Sequence, residues 1–256
     1  MEQKFKSAGK LRLILLLLLF ALTAGGCTQL FSDLESAIEA GDSIVFDEDE
    51  PSESTVDADP DSIPDYAGTD EIILNDNLPN FTEYDYENIT GENFSPLDSL
   101  GRCGTAVAML DRSMMPAGKR DDIGHIKPTG WRQKKYPGLV DSEPPYLYNR
   151  SHLIAYAMTG QNANELNLIT GTRHLNAELM LPYEKQVLKY LDNSENHVLY
   201  RVSPLFCDDE LLARGVEMEA YSLEDEGKGV CYHVFLYNVQ EGVEIEYESG
   251  ENWKKR

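Results

Sequence analysis

Apolar and polar positions divide the chain into three textures. Leu13 to Leu22 is an unbroken apolar run behind Lys4, Lys6, Lys10 and Arg12. From Thr28 to about residue 70 apolar positions are sparse and without period, as in Asp47-Glu-Asp-Glu-Pro-Ser-Glu53. From Glu71 onward they recur with the spacing of folded elements. Ile72-Ile-Leu74 ahead of Asn75-Asp-Asn-Leu-Pro79 predicts a strand and then a turn. Cys103 to Leu110 is small, apolar and suited to a central strand, and the front half of Tyr146–Ala155 is aromatic and strand-like. A short apolar run follows at Leu166-Asn-Leu-Ile169. Leu175, Leu179, Tyr183, Val187, Leu188 and Leu191 then recur at helical spacing, with Thr172 as candidate N-cap. Pro182 falls inside that run and should kink or restart the helix, because it lacks an N–H and its ring crowds the preceding turn. Strand patterns return at His197–Val202, Val216–Tyr221, Val230–Val239 and Val243–Tyr247, the last read as an edge strand. The alternation in Val216–Tyr221 predicts an antiparallel sheet with one wet face.

The first run is too short to span a bilayer comfortably. A basic start, a short apolar stretch and small residues describe a secretory signal over residues 1–27. Leu22-Thr-Ala-Gly-Gly-Cys27 resembles a bacterial lipobox, with Ala24 where leucine is usual. The expectation is an extracytoplasmic protein lipidated at Cys27 and anchored to the bacterial cell membrane; the alternative is an ordinary cleaved signal and a freely secreted protein. Of the other cysteines, Cys103, Cys207 and Cys231, at most two can pair, Cys207 with Cys231 being one choice. The absence of a CxxC argues against a thiolate zinc site.

Charge sharpens the division. The chain carries 45 acidic and 22 basic residues, a net charge of −23. Twenty-one of the acids, and no lysine or arginine, lie between Thr28 and Gly101. Residues 28–70 therefore read as a solvated acidic spacer that cannot order itself by burying apolar surface. A minor alternative is an autoinhibitory segment whose acids mimic phosphates. Residues 102–256 hold 23 acids against 18 bases, so the acidity that disfavours nucleic acid belongs mainly to the spacer. Within the folded part, Arg112, Lys119, Arg120, Lys127, Arg132, Lys134 and Lys135 form a basic, loop-like segment. Pro128-Thr-Gly-Trp131 stiffens it. Such a patch attracts anions, though a plain solvated loop is an equal reading.

Five histidines are candidates for chemistry. His197 and His233 lie in strand patterns and read as structural; His174 is one helical turn from Glu178 and reads as a local pair. His125 sits in the basic loop. His152 differs because Arg150, two residues earlier on a strand, shares its face. Downstream, Asn176 and Glu184 are about 80° apart on an ideal helix and lie with Met180 on one i, i+4 row. A carboxamide and a carboxylate so placed could share a Mg²⁺ that keeps most of its waters. A neutral imidazole could take a proton from water. Arg-x-His alone is a short string that arises by chance.

The run Asn149-Arg-Ser-His152, Asn167-Leu-Ile-Thr-Gly-Thr-Arg-His-Leu-Asn176 and Met180-Leu-Pro-Tyr-Glu184 resembles the DNA/RNA non-specific endonucleases of the ββα-metal superfamily. The closest similarity is to the branch of DNA-entry nucleases and secreted streptococcal DNases. Leu97-Asp-Ser-Leu-Gly-Arg-Cys-Gly104 and Pro128–Trp131 share it, and it spans residues 71–250. The resemblance implies an α+β fold, a ββα-metal core with a central antiparallel sheet flanked by helices. It implies a metal-dependent endonuclease that cuts DNA, and RNA as a further candidate, with Mg²⁺ or Mn²⁺ and little sequence preference. By the same resemblance His152 is the general base and Asn176 the direct metal ligand. Glu184 supports the metal through its water shell, Asn167 orients the histidine and phosphate, and Arg150 and Arg120 bind phosphate. The family's Asp-Arg-Gly-His is here Asn149-Arg150-Ser151-His152, which loses an acid and replaces a glycine. Two rivals stand beside this reading: a catalytically silent surface receptor for nucleic acid, and a structural lipoprotein for which His152 and Asn176 are polar core residues.

Overall fold

A computed structural model describes residues 63–256. The expected signal, the lipobox cysteine and the spacer as far as residue 62 lie outside the described residues.

The long strands arise where β-branched and aromatic residues alternate. β1 (Glu71–Ile73), β2 (Glu92–Phe94), β3 (Ala106–Leu110), β6 (Val198–Leu205), β7 (Gly215–Ser222) and β8 (Cys231–Tyr237) form a six-stranded antiparallel sheet in the order β1-β8-β7-β6-β3-β2. β4 (Tyr148–His152) and β5 (Leu168–Thr172) form a separate antiparallel ribbon, with Asn149 opposite Gly171 and His152 opposite Leu168. β9 (Val243–Ile245) pairs with β10 (Asn252–Lys254), a strand the sequence pattern did not announce. Short helices α1 (Glu83–Asn88) and α2 (Tyr156–Thr159) precede the main one, α3 (Met180–Asp192).

α3 packs its apolar stripe, Met180, Val187 and Leu191, on the sheet face that carries Ala106, Ala108, Val202, Met218, Ala220 and Val234. The alanines let the helix sit close, and burying each large side chain here is worth about 1.5–3 kcal/mol. Thr172 caps the helical segment as its sequence suggests: its Oγ1 accepts the Leu175 N–H at 3.0 Å. Pro182 also acts as expected. Residues Leu175–Leu179 form one wide π turn, with the Met180 N–H reaching back to the Leu175 carbonyl, and regular α-helix begins at Met180. The wider turn makes room for a ring that a tight α turn would strike.

Two expectations are corrected. The ideal helical spacing assumed from Asn176 to Glu184 is interrupted, because residues Leu175–Leu179 form the π turn; Met180 is buried in the core and Asn176 lines a cleft. β7 has no wet face. Glu219 is 2% exposed, and its oxygens accept from Arg201 Nε at 2.6 Å and from the Asn80 N–H at 2.6 Å. Residues 75–88 lie over that face and bury its charges in pairs. The packed chain also begins ahead of Glu71: Ile63 joins the cluster around Phe235, and the Tyr66 ring stacks edge-on against Tyr237 at 5.3 Å. Cys103, Cys207 and Cys231 are all free thiols.

Candidate active site

The β4–β5 ribbon and the turn into α3 present the chemistry. His152, at the end of β4, is 7% exposed. Its Nε2 lies 2.9 Å from the Asn162 carbonyl, which can only accept, so Nε2 carries the proton. Nδ1 is then the lone-pair atom, and Arg120 Nη2 donates to it at 3.2 Å. Burial lowers the His152 pKa to about 4, with the Arg120 charge adding to the effect and the carbonyl bond opposing it. The imidazole is therefore neutral across the physiological range.

Asn162 is the hub of this arrangement. Besides holding Nε2, it accepts from Arg120 Nε through Oδ1 at 3.2 Å and donates through Nδ2 to the Asp121 carbonyl at 3.1 Å. Sequence reasoning missed it, since a backbone carbonyl leaves no mark in the residue string.

Beside His152 lies a cleft of about 540 Å³ lined by Arg120, Asn149, Arg150, Arg173 and Asn176, with Trp131 on its wall. Of the residues singled out from the sequence, the fold thus gathers Arg120, Arg150 and Asn176, with His152 behind Arg120. Arg150 is heavily engaged. Its Nη2 donates to the Gly124 carbonyl at 2.7 Å, its Nε donates to the Ile126 carbonyl, and its plane lies 4.3 Å from the Trp131 ring centre. These bonds pin the basic loop onto the ribbon, and Ile123 and Ile126 anchor it further against Leu168.

Asn167 is fully buried outside the cleft. It accepts the Ile154 N–H at 2.8 Å and donates to the Ile154 carbonyl at 2.9 Å, which fixes the chain two residues past His152. Both ends of its amide are committed, so it orients the strand end. Glu184 faces the sheet from α3 and adds its charge to the surroundings of the buried Tyr200 and Tyr232 hydroxyls. Burial pushes its carboxyl up to about 7.

Of the remaining histidines, His174, His197 and His233 are tied into pairs with acidic side chains. His174 pairs with Glu178 at 2.9 Å, as its spacing suggested, and with Asp70 at 2.9 Å. His197 pairs with Glu224 at 2.5 Å, and His125 is exposed in the loop. Glu217, Glu219 and His233 lie close enough to share an ion, on the sheet face away from α3. They are already bonded to protein groups. His233 donates from Nδ1 to the Leu78 carbonyl at 3.0 Å and from Nε2 to Glu217 at 2.5 Å, while both Glu219 oxygens accept N–H bonds. That is an ion-pair network in which both His233 nitrogens are donors, so the imidazole has no lone pair for a metal.

A two-stranded ribbon bearing a neutral histidine, running into a helical turn bearing an asparagine, is the layout of a ββα-metal nuclease. Residues 82–223 match the DNA/RNA non-specific endonuclease family, and the chain belongs to that family. Among solved structures, NucA from Streptococcus agalactiae with no metal bound is 27% identical, with a TM-score of 0.62 over 77% of this chain and 92% of that one. The same nuclease with magnesium ion bound gives 26% identity and a TM-score of 0.64, covering 76% and 92%. The Sda1 nuclease with bound zinc ion gives 25% and 0.56, covering 68% and 88%. The chain is accordingly a non-specific endonuclease acting on nucleic acid.

Proposed function

We propose that this endonuclease hydrolyses phosphodiesters of DNA, with RNA as a further candidate substrate, outside the cytoplasm, with His152 as general base and a Mg²⁺ held by Asn176 and supported by Glu184. The observation that carries the reading is the fixed tautomer of His152, neutral and with its lone-pair nitrogen turned to Arg120, which lines the same cleft as Asn176. Nδ1 takes a proton from water as the water oxygen bonds to phosphorus. The P–O bond to the leaving oxygen breaks in turn, and that oxygen is protonated from solvent. Arg120 covers Nδ1, and an incoming phosphate would draw its guanidinium away and free the lone pair.

The residues present suit a divalent cation. The Asn176 side chain has no hydrogen-bond partner among the described residues, and the desolvated Glu184 carboxyl has no cation beside it. Bound there, the cation would supply positive charge for the negative charge building on phosphoryl and leaving oxygens. NucA from S. agalactiae binds magnesium and Sda1 zinc, which supports a divalent ion here. Arg150 holds the loop in place and contributes positive charge to the cleft, and Asn167 fixes the chain beyond His152.

Plasmid and RNA digestion over a metal series tests the mechanism. His152→Ala or Asn176→Ala should lower cleavage at least 10²-fold, the usual worth of a general base, without unfolding. Wild-type cleavage by purified His152→Ala would refute it. Because Glu184 must lose its proton to support the metal, Mg²⁺ affinity should fall as pH drops below about 7. The proposed anchor is tested by palmitate-analogue labelling, which must be lost in Cys27→Ala. Residues 1–27 would then be the signal, residues 28–70 the acidic spacer and residues 71–250 the nuclease domain, with Ile63 and Tyr66 packed onto it.

A further inference from the structure

We infer that Arg173, which no motif role assigns, binds a phosphate of the nucleic-acid substrate in the cleft beside Asn176. The inference rests on the nuclease reading of that cleft and adds a substrate-binding residue to it.

Three arginines line the cleft, and two of them already have partners within the protein. Arg120 bonds to Asn162 and His152, and Arg150 bonds to two loop carbonyls under Trp131. Arg173 is different. Its backbone is fixed, with its N–H donating to the Leu147 carbonyl at 2.7 Å, but its side chain makes no hydrogen bond or ion pair among the described residues. Its Nε is buried and without an acceptor.

A buried donor left unsatisfied is costly, and folds retain one chiefly where a ligand completes it. The isolation of Arg173 is not for want of acids. It also lines a neighbouring cavity of about 900 Å³ into which Asp70, Asp141, Glu178, Glu241 and Glu244 project. Asp70 and Glu178 are instead drawn to His174. In a chain of 45 acidic residues, a guanidinium so surrounded and still unpaired is positioned for something outside the protein.

A second orphan points the same way. Asn149 Nδ2 is buried, has no partner, and lines the same cleft. Two residues that line one cleft and each hold a donor without a partner call for a ligand rich in acceptors. A phosphodiester provides two unesterified oxygens with shared negative charge, which suit the planar guanidinium fork. Arg173 is three residues ahead of Asn176, so the phosphate it receives is the scissile one or an immediate neighbour.

The test measures binding of a short fluorescent DNA duplex at constant Mg²⁺ over a salt series. It is made in the full chain carrying His152→Ala, so that the DNA stays intact. Adding Arg173→Ala should weaken binding about tenfold, and the slope of log K against log salt should shrink by about 0.9, the worth of one phosphate contact on duplex DNA. Arg173→Lys should keep the slope, because the charge remains. Arg173→Gln, which keeps length and hydrogen bonding, should lose it. If folded Arg173→Gln binds with the parent slope, the inference is overturned, and the same holds for Arg173→Ala. Plasmid cleavage by the otherwise unaltered chain tests the nuclease reading separately. A chain that cuts DNA with an Arg173-independent slope leaves that reading standing and removes only the role of Arg173.

Discussion

His152 is held neutral chiefly by burial, and Arg120 adds to that by placing a positive charge against its lone-pair nitrogen. Removing Arg120 should therefore move the imidazole back toward its ordinary value of 6.5, without reaching it while burial persists. NMR titration of the His152 ring in Arg120→Ala checks this, and an unchanged or lower pKa would contradict the contact. The same residue scale explains Ser151, where the family has glycine. The room is made across the ribbon: a Cβ on residue 171 would stand 2.1 Å from Ser151 Oγ and 2.9 Å from Ser151 Cβ. Rotating the hydroxyl relieves the first clash and not the second. Gly171→Ala should then destabilise by about 1–3 kcal/mol, the usual cost of overpacking. Adding Ser151→Gly should recover most of that loss in denaturant unfolding, because it removes both atoms.

At the scale of elements, the helical segment shows why local spacing misleads near a site. The residue pattern correctly marked Thr172 as the cap and Pro182 as a point of disturbance. What the disturbance would be was not legible, since a proline can be met by a kink, a break or a widened turn. The π turn over Leu175–Leu179 is the solution adopted, and it separates Asn176 from the core-facing Met180. A similar limit applies to β7. Alternating Glu217 and Glu219 look like a solvent face until residues 75–88, distant in sequence, lie over them. Asn75, Asp76 and Asn77 take left-handed φ values of 44°, 52° and 65°, and this brings the Asn77 side chain and the Leu78 carbonyl onto His233. Asn and Asp tolerate that region better than other residues with a Cβ.

For the whole molecule, the buried charges under residues 75–88 tie the N-terminal segment to the sheet. Arg201 lies 2.6 Å from Glu219 and 3.7 Å from Asp85, with the Phe81 ring 4.7 Å from its guanidinium. Glu219→Ala leaves the Arg201 charge with a poorer partner and should cost about 3–5 kcal/mol in unfolding measurements. His233 adds a pH dependence. Burial opposes its charge, but the bond to Glu217 and the charges of Glu219 and Glu217 outweigh that and raise its pKa above 6.5. Its stabilising contribution is thus complete below 6.5 and is lost as pH rises through the raised value. The melting temperatures of wild type and His233→Gln should converge as pH increases; a gap that widens would refute the pairing.

The sequence by itself marked the α+β class, through local periodicity and its family resemblance, and it singled out His152, Asn167, Asn176 and Glu184 as candidates, because the motif that carries them is nearly contiguous along the chain. It also singled out Arg150 and Arg120 as candidate phosphate-binding residues. Only the tertiary structure decided that Arg150 is bound to loop carbonyls, that Asn162 fixes the tautomer of His152, and that Arg173 is left open. The physical reason is that hydrogen-bond satisfaction is a property of neighbours in space. Which donor ends without a partner depends on backbone carbonyls and loop paths that residue identity does not encode.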